Sequence, residues 1–491
     1  MSMIQADGLT FAYPGSYDNV FEKACFQFDT DWKLGILGRN GRGKTTLLRL
    51  LMGRYPYSGS ISGVPSCACF PQEVRGPDRI TLDVLSQVCP AAEEWEFLRE
   101  TGLLGVDPEA LYRPFPTLSN GERTKCLLAA LFCSRERYLL IDEPTNHLDA
   151  AARRVVSSYL RRKGGFLLVS HDRDFLDGCV DHILAFTKTD FEVQSGNFST
   201  WWENMERRNV FEQAKNERLK KEVDRLGQAA ARTSNWSDKV ESTKTGLGKS
   251  GPMDRGFVSH KSAKMMRRTK SIQQRRQKAL EEASSLLQDL EKAESLKLRP
   301  LTARGRLLHL ADVSLFYGEK RACGPLAFQL EPGERIALDG RNGSGKSTLL
   351  KWLRGETSMT STGTVKRLSG LTVSYVPQNT SHLRGNPRDY ARANGVDETL
   401  LLAILRKLDF PRVQFEKDME HWSAGQKKKL LIARSLCESA HLYIWDEPLN
   451  YIDVWSRMQI EELLLEFQPT MLFVEHDEAF RRKIATGTVE L

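Results

Sequence analysis

Apolar residues are grouped along this chain in short runs that alternate with segments of helical spacing, and the alternation occurs twice. One run ends at Leu37 and another at Leu338, and the runs YLLI and LYIW immediately precede Asp142 and Asp446. Clustered leucines follow the first two runs: Leu47, Leu48, Leu50 and Leu51, and Leu349, Leu350 and Leu353. Continuous apolar runs are typical of buried parallel strands, and leucines at helical spacing are typical of helices packed on them. The pattern predicts an α/β fold that is present twice, in residues 1–200 and 306–491.

The segment between these halves, residues 201–305, has a different pattern. Apolar residues recur there at intervals of three and four: Leu219, Val223, Leu226 and Ala230, and later Ala279, Ala283, Leu286, Leu290 and Ala293. Such spacing predicts an α-helical hairpin with a narrow apolar seam and charged outer faces. Glycines and a proline interrupt the pattern in residues 233–262, so we expect a loop at the tip.

Positive charge is concentrated in this linker. Residues 201–300 contain 23 Lys and Arg against 14 Asp and Glu, a net charge of +9, whereas the whole chain of 491 residues has +8. Basic and aromatic residues are interleaved around the expected tip, and the candidates for contact there are Trp236, Lys244, Phe257, Lys261, Arg267 and Arg268. Basic residues can neutralise phosphates, and exposed rings can stack on bases or fill apolar crevices. A solvated charged coil is the alternative.

Two glycine-rich stretches follow the first apolar run of each half and match G-x-x-x-x-G-K-[ST]. With the next threonine they comprise Gly38, Arg39, Asn40, Gly41, Arg42, Gly43, Lys44, Thr45 and Thr46, and Gly340, Arg341, Asn342, Gly343, Ser344, Gly345, Lys346, Ser347 and Thr348. In such a loop the backbone N–H groups surround phosphate oxygens, the lysine reaches the β- and γ-phosphates, and the hydroxyl is a ligand of Mg²⁺. A strand before and a helix after each stretch are the context that this chemistry requires.

Five further elements recur in the same order after each loop, so the chain contains a duplicated domain. They are Gln72 and Gln378, the stretches LSNGE and WSAGQ, the acidic pairs ending in Glu143 and Glu447, NHLD and NYID, and the histidines His171 and His476. The separation between equivalent positions stays between 302 and 306 residues. An aspartate at the end of a buried strand, Asp142 or Asp446, can hold Mg²⁺ through water, and the adjacent glutamate can orient or deprotonate the attacking water.

Together these motifs resemble the nucleotide-binding cassette of the ABC ATPase superfamily. The resemblance implies ATP and Mg²⁺ as ligands, and it places the serine-glycine signature of one cassette opposite the phosphate-binding loop of the other. Lys44 would then face Ser423 and Gly425, and Lys346 would face Ser119 and Gly121, within one monomer. Beyond the two loops it implies nucleotide contacts for Tyr13, Gln72, Ser119, Gly121, Glu122, Tyr317, Gln378, Ser423, Gly425 and Gln426. The implied Mg²⁺ ligands are Thr45, Gln72, Asp142, Ser347, Gln378 and Asp446.

The resemblance also implies that His171 and His476 sense the γ-phosphate and act with Glu143 and Glu447 in catalysis. On residue type alone, such histidines are more often caps or core groups, and Tyr13 and Tyr317 are more often core residues. Both signatures depart from L-S-G-G-Q, since Asn120 and Ala424 replace a glycine and Trp422 replaces a leucine. A serine and a backbone N–H remain in each signature, so we expect ATP binding to persist while the rates differ.

The sequence argues against a membrane protein. No run approaches the roughly 18 consecutive apolar residues that span a bilayer, and the N-terminus lacks a signal-peptide pattern. Nine cysteines, an odd number, lie mostly among apolar neighbours and fit a reducing cytosol. We therefore expect a cytoplasmic protein with neither a membrane contact nor a transmembrane partner subunit.

Tandem cassettes joined by a basic helical linker resemble the ABC-F family, and most closely its Lsa-type resistance members. The stretches that carry this resemblance include LIDEPTNHLD, GNFSTWWE and LYIWDEPLNYID. It implies a ribosome-binding ATPase that enters the tRNA exit site in the ATP-bound state, contacts 23S rRNA and the neighbouring tRNA, and remodels the peptidyl-transferase centre. The implied outcome is resistance to lincosamides, pleuromutilins and streptogramin A. The alternatives are a housekeeping ABC-F translation factor and the ATPase half of a transporter.

Overall fold

The computed structural model describes residues 2–212 and 296–491, with gaps at 16–17, 73, 75, 77, 135–136, 147, 188–190, 342 and 356–358, together with residues 214, 218 and 221. The described residues up to 201 and from 296 onward belong to a first compact unit, and residues 202–212 belong to a second. The predicted hairpin stripes and the loop at 233–262 fall largely or wholly outside the described residues. The first unit contains both cassettes, and the predicted α/β fold class is confirmed in each.

The first cassette contains two sheets. Its strands are β1 (Met3–Phe11), β2 (Phe21–Asp29), β3 (Lys33–Gly38), β4 (Ser58–Ser62), β5 (Cys67–Phe70), β6 (Tyr138–Asp142), β7 (Phe166–Val169), β8 (His182–Phe186) and β9 (Phe191–Ser195). An antiparallel sheet has the order β2-β1-β4, and a larger sheet has the order β5-β6-β7-β3-β8-β9. Only the β8–β9 pairing of the larger sheet is antiparallel.

Six α-helices accompany these sheets in the described part of the first cassette. They are α1 (Lys44–Leu51), α2 (Thr81–Val88), α3 (Glu94–Leu103), α4 (Asn120–Phe132), α5 (Ala150–Arg161) and α6 (Arg173–Cys179). α1 packs its leucines into a core between the two sheets, because Leu47, Leu48 and Leu50 are buried with residues of β1, β3 and β6. α2, α3 and α4 pack on one another as a separate helical layer.

The second cassette repeats this plan. Its strands are β10 (Leu308–Tyr317), β11 (Lys320–Leu330), β12 (Arg335–Asp339), β13 (Thr360–Arg367), β14 (Val373–Val376), β15 (Leu442–Asp446), β16 (Met471–Val474) and β17 (Gly487–Glu490). Its helices are α7 (Lys346–Arg354), α8 (Pro387–Ala393), α9 (Glu398–Lys407), α10 (Ala424–Cys437), α11 (Val454–Phe467) and α12 (Glu478–Ile484). The sheets have the orders β11-β10-β13, antiparallel, and β14-β15-β16-β12-β17, parallel.

Strand order brings the chemical motifs to one edge of each parallel sheet. In the first cassette β7 lies between β3 and β6, so the segments that follow Gly38, Asp142 and Val169 leave the sheet side by side. In the second cassette β16 lies between β12 and β15 in the same way. Ligands of α/β sheets bind at this carboxyl edge.

Residues 296–305, assigned to the linker from the sequence, lie against the second cassette. Leu296 and Leu298 are buried in the same core as residues of α9 and α10. The N–H of Leu301 donates to the carbonyl oxygen of Ala440 at 2.9 Å. The return of the chain from the linker is therefore anchored before β10 begins.

Candidate active sites

Two of the cavities between the cassettes contain the phosphate-binding loops, and each is lined by residues from both cassettes. The first site, of about 430 Å³, joins the first loop, Glu143 and His171 to Ser423 and Gly425 of the second cassette. The second site, of about 500 Å³, joins the second loop, Glu447 and His476 to Ser119 of the first cassette. Lys44 therefore faces the signature that contains Ser423, and Lys346 faces the signature that contains Ser119, as the resemblance implied.

The phosphate-binding loops have the geometry that their glycines predict. Gly43 and Gly345 adopt left-handed φ angles of 88° and 98°, and a Cβ on either would lie 2.5 Å from Val20 Cγ1 or from the carbonyl oxygen of Ala322. α1 and α7 begin directly after these glycines, so their N-terminal N–H groups point into the cavities. The Nζ of Lys44 donates to the carbonyl oxygen of Gly38 at 2.6 Å, and Lys346 makes the equivalent contact with Gly340 at 2.6 Å.

Hydroxyl and carboxylate oxygens beside each loop form a set suited to a hard divalent cation. Thr45 Oγ1 donates to Asp142 Oδ2 at 2.8 Å. Burial raises the pKa of Asp446 to about 6, although a hydrogen bond from Ser347 acts in the opposite direction. Asp446 Oδ1 is buried and has no hydrogen-bond partner among the described residues. Because Mg²⁺ prefers oxygen ligands, these residues fit Mg²⁺, whose charge would offset that of the phosphates.

The two glutamates occupy equivalent and unusual backbone positions. Glu143 and Glu447 have φ angles of 48° and 46°, in the left-handed region that costs a non-glycine residue about 1–3 kcal/mol. The N–H of each donates at 2.9 Å to the neighbouring strand, to Val169 O and to Val474 O. This turn directs each carboxylate toward a histidine.

Each histidine lies at a similar distance from its glutamate. His171 Nε2 is 3.5 Å from Glu143 Oε1, and His476 Nε2 is 3.6 Å from Glu447 Oε1. The structure therefore groups each glutamate and histidine as the sequence implied.

The pKa values of the two glutamates are shifted in opposite directions. Burial, followed by the charge of Asp142, raises the pKa of Glu143 to about 8. For Glu447, burial is outweighed by the hydrogen bond and charge of His476 and by a hydrogen bond from Gln378, so its pKa is lowered to about 2. Asn450 Nδ2 also donates to Glu447 Oε2 at 2.7 Å, whereas Glu143 Oε1 has no hydrogen-bond partner among the described residues. Burial holds the pKa of His171 well below its usual range.

The signature serines begin the helices that point at the opposite cassette. Ser119 Oγ accepts from the N–H of Glu122 at 3.2 Å, and Ser423 Oγ accepts from the N–H of Gln426 at 3.3 Å. Each pair forms a reciprocal capping box. Glu122 and Gln426, predicted as nucleotide contacts, are thus helix-capping residues that lie outside the cavity linings, as does Gly121. The S-x-x-E and S-x-x-Q spacing could have revealed this from the sequence.

The tyrosines and glutamines predicted to contact the nucleotide are placed differently at the two sites. Tyr13 lines the first site, and its hydroxyl is 2.8 Å from Thr46 Oγ1. Tyr317 is 46% exposed and lies outside the lining of the second site, where Lys320, Arg321 and Ala322 lie instead. Gln378 lines the second site, whereas Gln72 is absent from the lining of the first.

Several loop residues do not line the cavities, and some predicted residues cannot be placed. Gly38, Arg39, Arg42, Gly340, Arg341 and Ser344 belong to the loops but not to the linings. Asn342 and the tip candidates Trp236, Lys244, Phe257, Lys261, Arg267 and Arg268 lie outside the described residues.

Contacts across the cassettes hold the first loop directly. Asn40 Nδ2 donates to the carbonyl oxygen of Tyr451 at 2.7 Å, and Arg39 Nη1 lies 3.5 Å from Asp409 Oδ2. Away from the sites, Arg173 pairs through both guanidinium nitrogens with the fully buried Glu461. The sequence motifs did not reveal these contacts, because ion pairs between distant segments leave no spacing pattern.

The repeated motif NHLD/NYID was assigned no site residue from the sequence, yet its second copy contributes to a site. Asp453, the last residue of NYID, is fully buried, and its Oδ2 lies 2.7 Å from Lys429 Nζ. Burial lowers the pKa of Lys44 to about 8, and the charge of Asp453 opposes this effect. Asp453 of the second cassette therefore acts on the first site. The recurrence of NHLD and NYID was the available signal.

Paired phosphate-binding loops, each closed by the signature helix of the other half, define a tandem nucleotide-binding protein with two composite sites. The ABC transporter family model matches residues 21–146 and 323–450, more than half of the chain. The chain therefore belongs to the ABC transporter family, and it is an ATPase. None of the helices in its described part has the length and apolar character needed to cross a membrane.

Several relatives match nearly the whole chain. The ribosome protection protein VmlR of Bacillus subtilis is 29% identical, covering 92% of this chain and 80% of VmlR. The probable ATP-binding protein YheS of Escherichia coli is 28% identical, covering 92% of this chain and 73% of YheS. The energy-dependent translational throttle protein EttA of Escherichia coli is 24% identical, covering 96% of this chain and 89% of EttA. These are ABC-F proteins, so the resemblance to ABC-F proteins is confirmed.

A solved structure shares the tandem fold. The archaeal ribosome recycling factor aABCE1, in complex with the archaeal ribosomal stalk protein aP1, is 20% identical to this chain, with a TM-score of 0.61. The match covers 94% of this chain and 83% of that one. At this identity the likeness concerns the fold alone.

Proposed function

We propose that this ATPase protects ribosomes from antibiotics that act at the peptidyl-transferase centre. The observation that carries the proposal is the composite nature of both ATP sites, in which Lys44 faces Ser423 and Lys346 faces Ser119. Two ATP molecules bound there would hold the cassettes together, and hydrolysis would release them. ATP would thus control the position of whatever is attached to both cassettes, which in this chain is the basic linker.

In this proposal the residues of each site have distinct roles. The backbone and lysine of each loop would hold the phosphates, and Thr45 with Asp142, or Ser347 with Asp446 and Gln378, would hold Mg²⁺. Glu143 and Glu447 would orient or deprotonate water, and His171 and His476 would contact the γ-phosphate. Ser119 and Ser423 would close over the nucleotide from the opposite cassette.

The linker directs the proposal to the ribosome. Residues 201–300 have a net charge of +9, which suits rRNA phosphates, and a relative covering most of the chain is a ribosome protection protein. The ATP-bound protein would enter the tRNA exit site, contact 23S rRNA and the adjacent tRNA, and remodel the drug pocket through Trp236, Lys244 and Phe257. The expected drug classes are lincosamides, pleuromutilins and streptogramin A.

A housekeeping translation factor is the second candidate. It is favoured by the match to EttA, whose name describes a translational throttle, over 96% of this chain. Such a factor would use the same ATP sites and the same ribosomal position without changing drug susceptibility. The two candidates therefore differ in the consequence of binding.

Drug susceptibility of cells that express the chain separates these candidates. We expect the minimum inhibitory concentration of at least one of the three drug classes to rise, and the Glu143→Gln/Glu447→Gln variant to give no such rise. Shortening the loop from Lys244 to Phe257 should abolish protection but retain ATP-dependent co-sedimentation with ribosomes. Unchanged susceptibility with ATP-dependent ribosome binding would support the housekeeping candidate, whereas failure to bind ribosomes would contradict both.

A further inference from the structure

Lys428 is a buried lysine on α10 whose ammonium group binds the backbone of the second site. It is 2% exposed, and its Nζ donates to the carbonyl oxygens of Pro377 at 2.9 Å and of Asp446 at 3.3 Å. A buried ammonium group is costly unless several acceptors surround it.

The two carbonyl groups immediately precede residues that line the second site. Pro377 precedes Gln378, and Asp446 precedes Glu447. Gln378 and Glu447 both line the second cavity. One side chain therefore connects the segment that carries the glutamine to the strand end that carries the proposed Mg²⁺ ligand and the proposed base.

The other end of α10 belongs to the first site. The helix is capped by Ser423, and Ser423, Ala424 and Gly425 line the first cavity. Lys428 follows Ser423 by five residues, which is about 7.5 Å along a helix. A rigid segment thus extends from the signature at the first site to the backbone of the second.

The described part of the first cassette lacks this connection. Thr124 holds the same place in α4, five residues after Ser119. Its side chain ends at Cγ, three bonds short of the length of lysine, so it cannot bridge the equivalent segments. The route between the sites therefore exists in one direction.

We propose that Lys428 is a positioning residue that couples nucleotide binding at the first site to hydrolysis at the second. Nucleotide held by Ser423 and Gly425 fixes α10, and Lys428 then fixes Gln378 and Glu447 in the arrangement for hydrolysis. The proposal rests on the assignment of the two cavities as ATP sites. It does not depend on ribosomes or drugs, because every measurement that tests it uses the purified full-length ATPase.

The test measures each site alone. The Glu143→Gln background leaves the second site to hydrolyse ATP, and the Glu447→Gln background leaves the first. In the Glu143→Gln background, Lys428→Met should lower kcat at least about tenfold with less than a twofold change in KM, and Lys428→Arg should recover part of the loss. In the Glu447→Gln background, Lys428→Met should change kcat less than twofold.

Matched controls separate positioning from general damage. Thr124→Val, at the equivalent place in α4, should change kcat less than twofold in both backgrounds, and Lys428→Thr should reproduce Lys428→Met. Equal losses in both backgrounds, or no loss in the Glu143→Gln background, would overturn the proposal. If Lys428→Met unfolds, Lys428→Arg and Lys428→Thr carry the same comparison.

A double-mutant cycle tests the coupling itself. In the Glu143→Gln background, Ser423→Ala should lower second-site kcat, and it should have little further effect once Lys428→Met is present. Multiplicative effects of the two substitutions would overturn the coupling. If ATP fails to bind either site of the parent chain, the assignment of the sites is wrong, which is a different outcome from failure of the coupling.

Discussion

The two ATP sites share their motifs and differ in what surrounds them. Glu143 is buried beside Asp142 with one carboxylate oxygen unpartnered among the described residues, whereas the Glu447 carboxylate accepts a hydrogen bond from Asn450. Burial and the charge of Asp142 raise one pKa to about 8, while neighbouring donors lower the other to about 2. A duplicated motif therefore need not duplicate chemistry, because residues outside the motif shift the pKa of each glutamate.

The closing contacts also differ between the sites. The first loop reaches the second cassette through Arg39 and Asp409. Gly105 holds the place equivalent to Asp409 in the first cassette, and both adopt a left-handed φ, 65° and 60°. The backbone turn is thus duplicated while the carboxylate is present only in the second cassette.

Removal of both glutamates should give the largest effect. Glu143→Gln/Glu447→Gln should bind Mg²⁺ and ATP, because the loops and aspartates remain, while steady-state hydrolysis falls about 10²- to 10⁴-fold, the usual contribution of a general base. Filter binding and phosphate release measure the two properties. Hydrolysis at the parental rate would show that neither glutamate acts in catalysis.

Substitution of the glycines in the phosphate-binding loops should lower ATP affinity by different amounts at the two sites. Gly43→Ala and Gly345→Ala each place a Cβ in left-handed backbone, at about 1–3 kcal/mol, so ATP affinity of the altered site should fall at least about fivefold. The loss should be larger for Gly345→Ala, because its Cβ meets the backbone oxygen of Ala322, whereas that of Gly43 meets the side chain of Val20. Titration with a fluorescent ATP analogue would reveal equal losses if this distinction is incorrect.

The pH dependence of hydrolysis should differ between the sites. A base acts only when deprotonated, so a raised pKa means that the active fraction of Glu143 grows as the pH rises toward 8. Hydrolysis by the Glu447→Gln variant should therefore increase several-fold between pH 6 and 8, with a midpoint at or below 8 because bound Mg²⁺ lowers the pKa of nearby carboxylates. Hydrolysis by the Glu143→Gln variant should change little over this range. Superimposable profiles would contradict the difference in charge state.

Removal of the Arg39–Asp409 ion pair should give the smallest effect on ATP binding. Asp409→Gly copies Gly105 and removes the ion pair with Arg39, whose acidic partner is 40% exposed. Exposed pairs contribute about 0.2–1 kcal/mol, so KM for ATP in the Glu447→Gln background should rise about two- to threefold. The Glu143→Gln background is the control and should show no change in KM. A rise in both backgrounds would indicate a general loosening of the interface.

The sequence predicted the fold and most of the groups brought together at the sites. The apolar runs that end at Leu37 and just before Asp142 became parallel strands of one sheet, on either side of β7, and local motifs placed Lys44 and Glu143 at one sheet edge. Such features follow from short-range spacing. Tyr317 shows where sequence spacing fails. Its separation in sequence from the phosphate-binding loop does not determine whether its end of the strand faces the cavity.

Other features required the three-dimensional structure. The lowered pKa of Glu447 depends on side chains from distant segments, such as His476 and Gln378. Lys428 appears in the sequence only as one of three consecutive lysines, of the kind usually found on a solvated face. Its burial becomes evident only when α10 is packed against β15.

Site-resolved hydrolysis at pH 7 tests the central claim, the inequivalence of the two ATP sites, most directly. Phosphate release should be measured for Glu143→Gln and for Glu447→Gln under identical conditions with saturating Mg²⁺ and ATP. Because burial raises the pKa of Glu143 and glutamine imitates the neutral acid, Glu143→Gln should retain more than about half of the parental rate. Glu447→Gln should lose most of it, about tenfold or more. Equal losses in the two variants, or a larger loss for Glu143→Gln, would contradict the account.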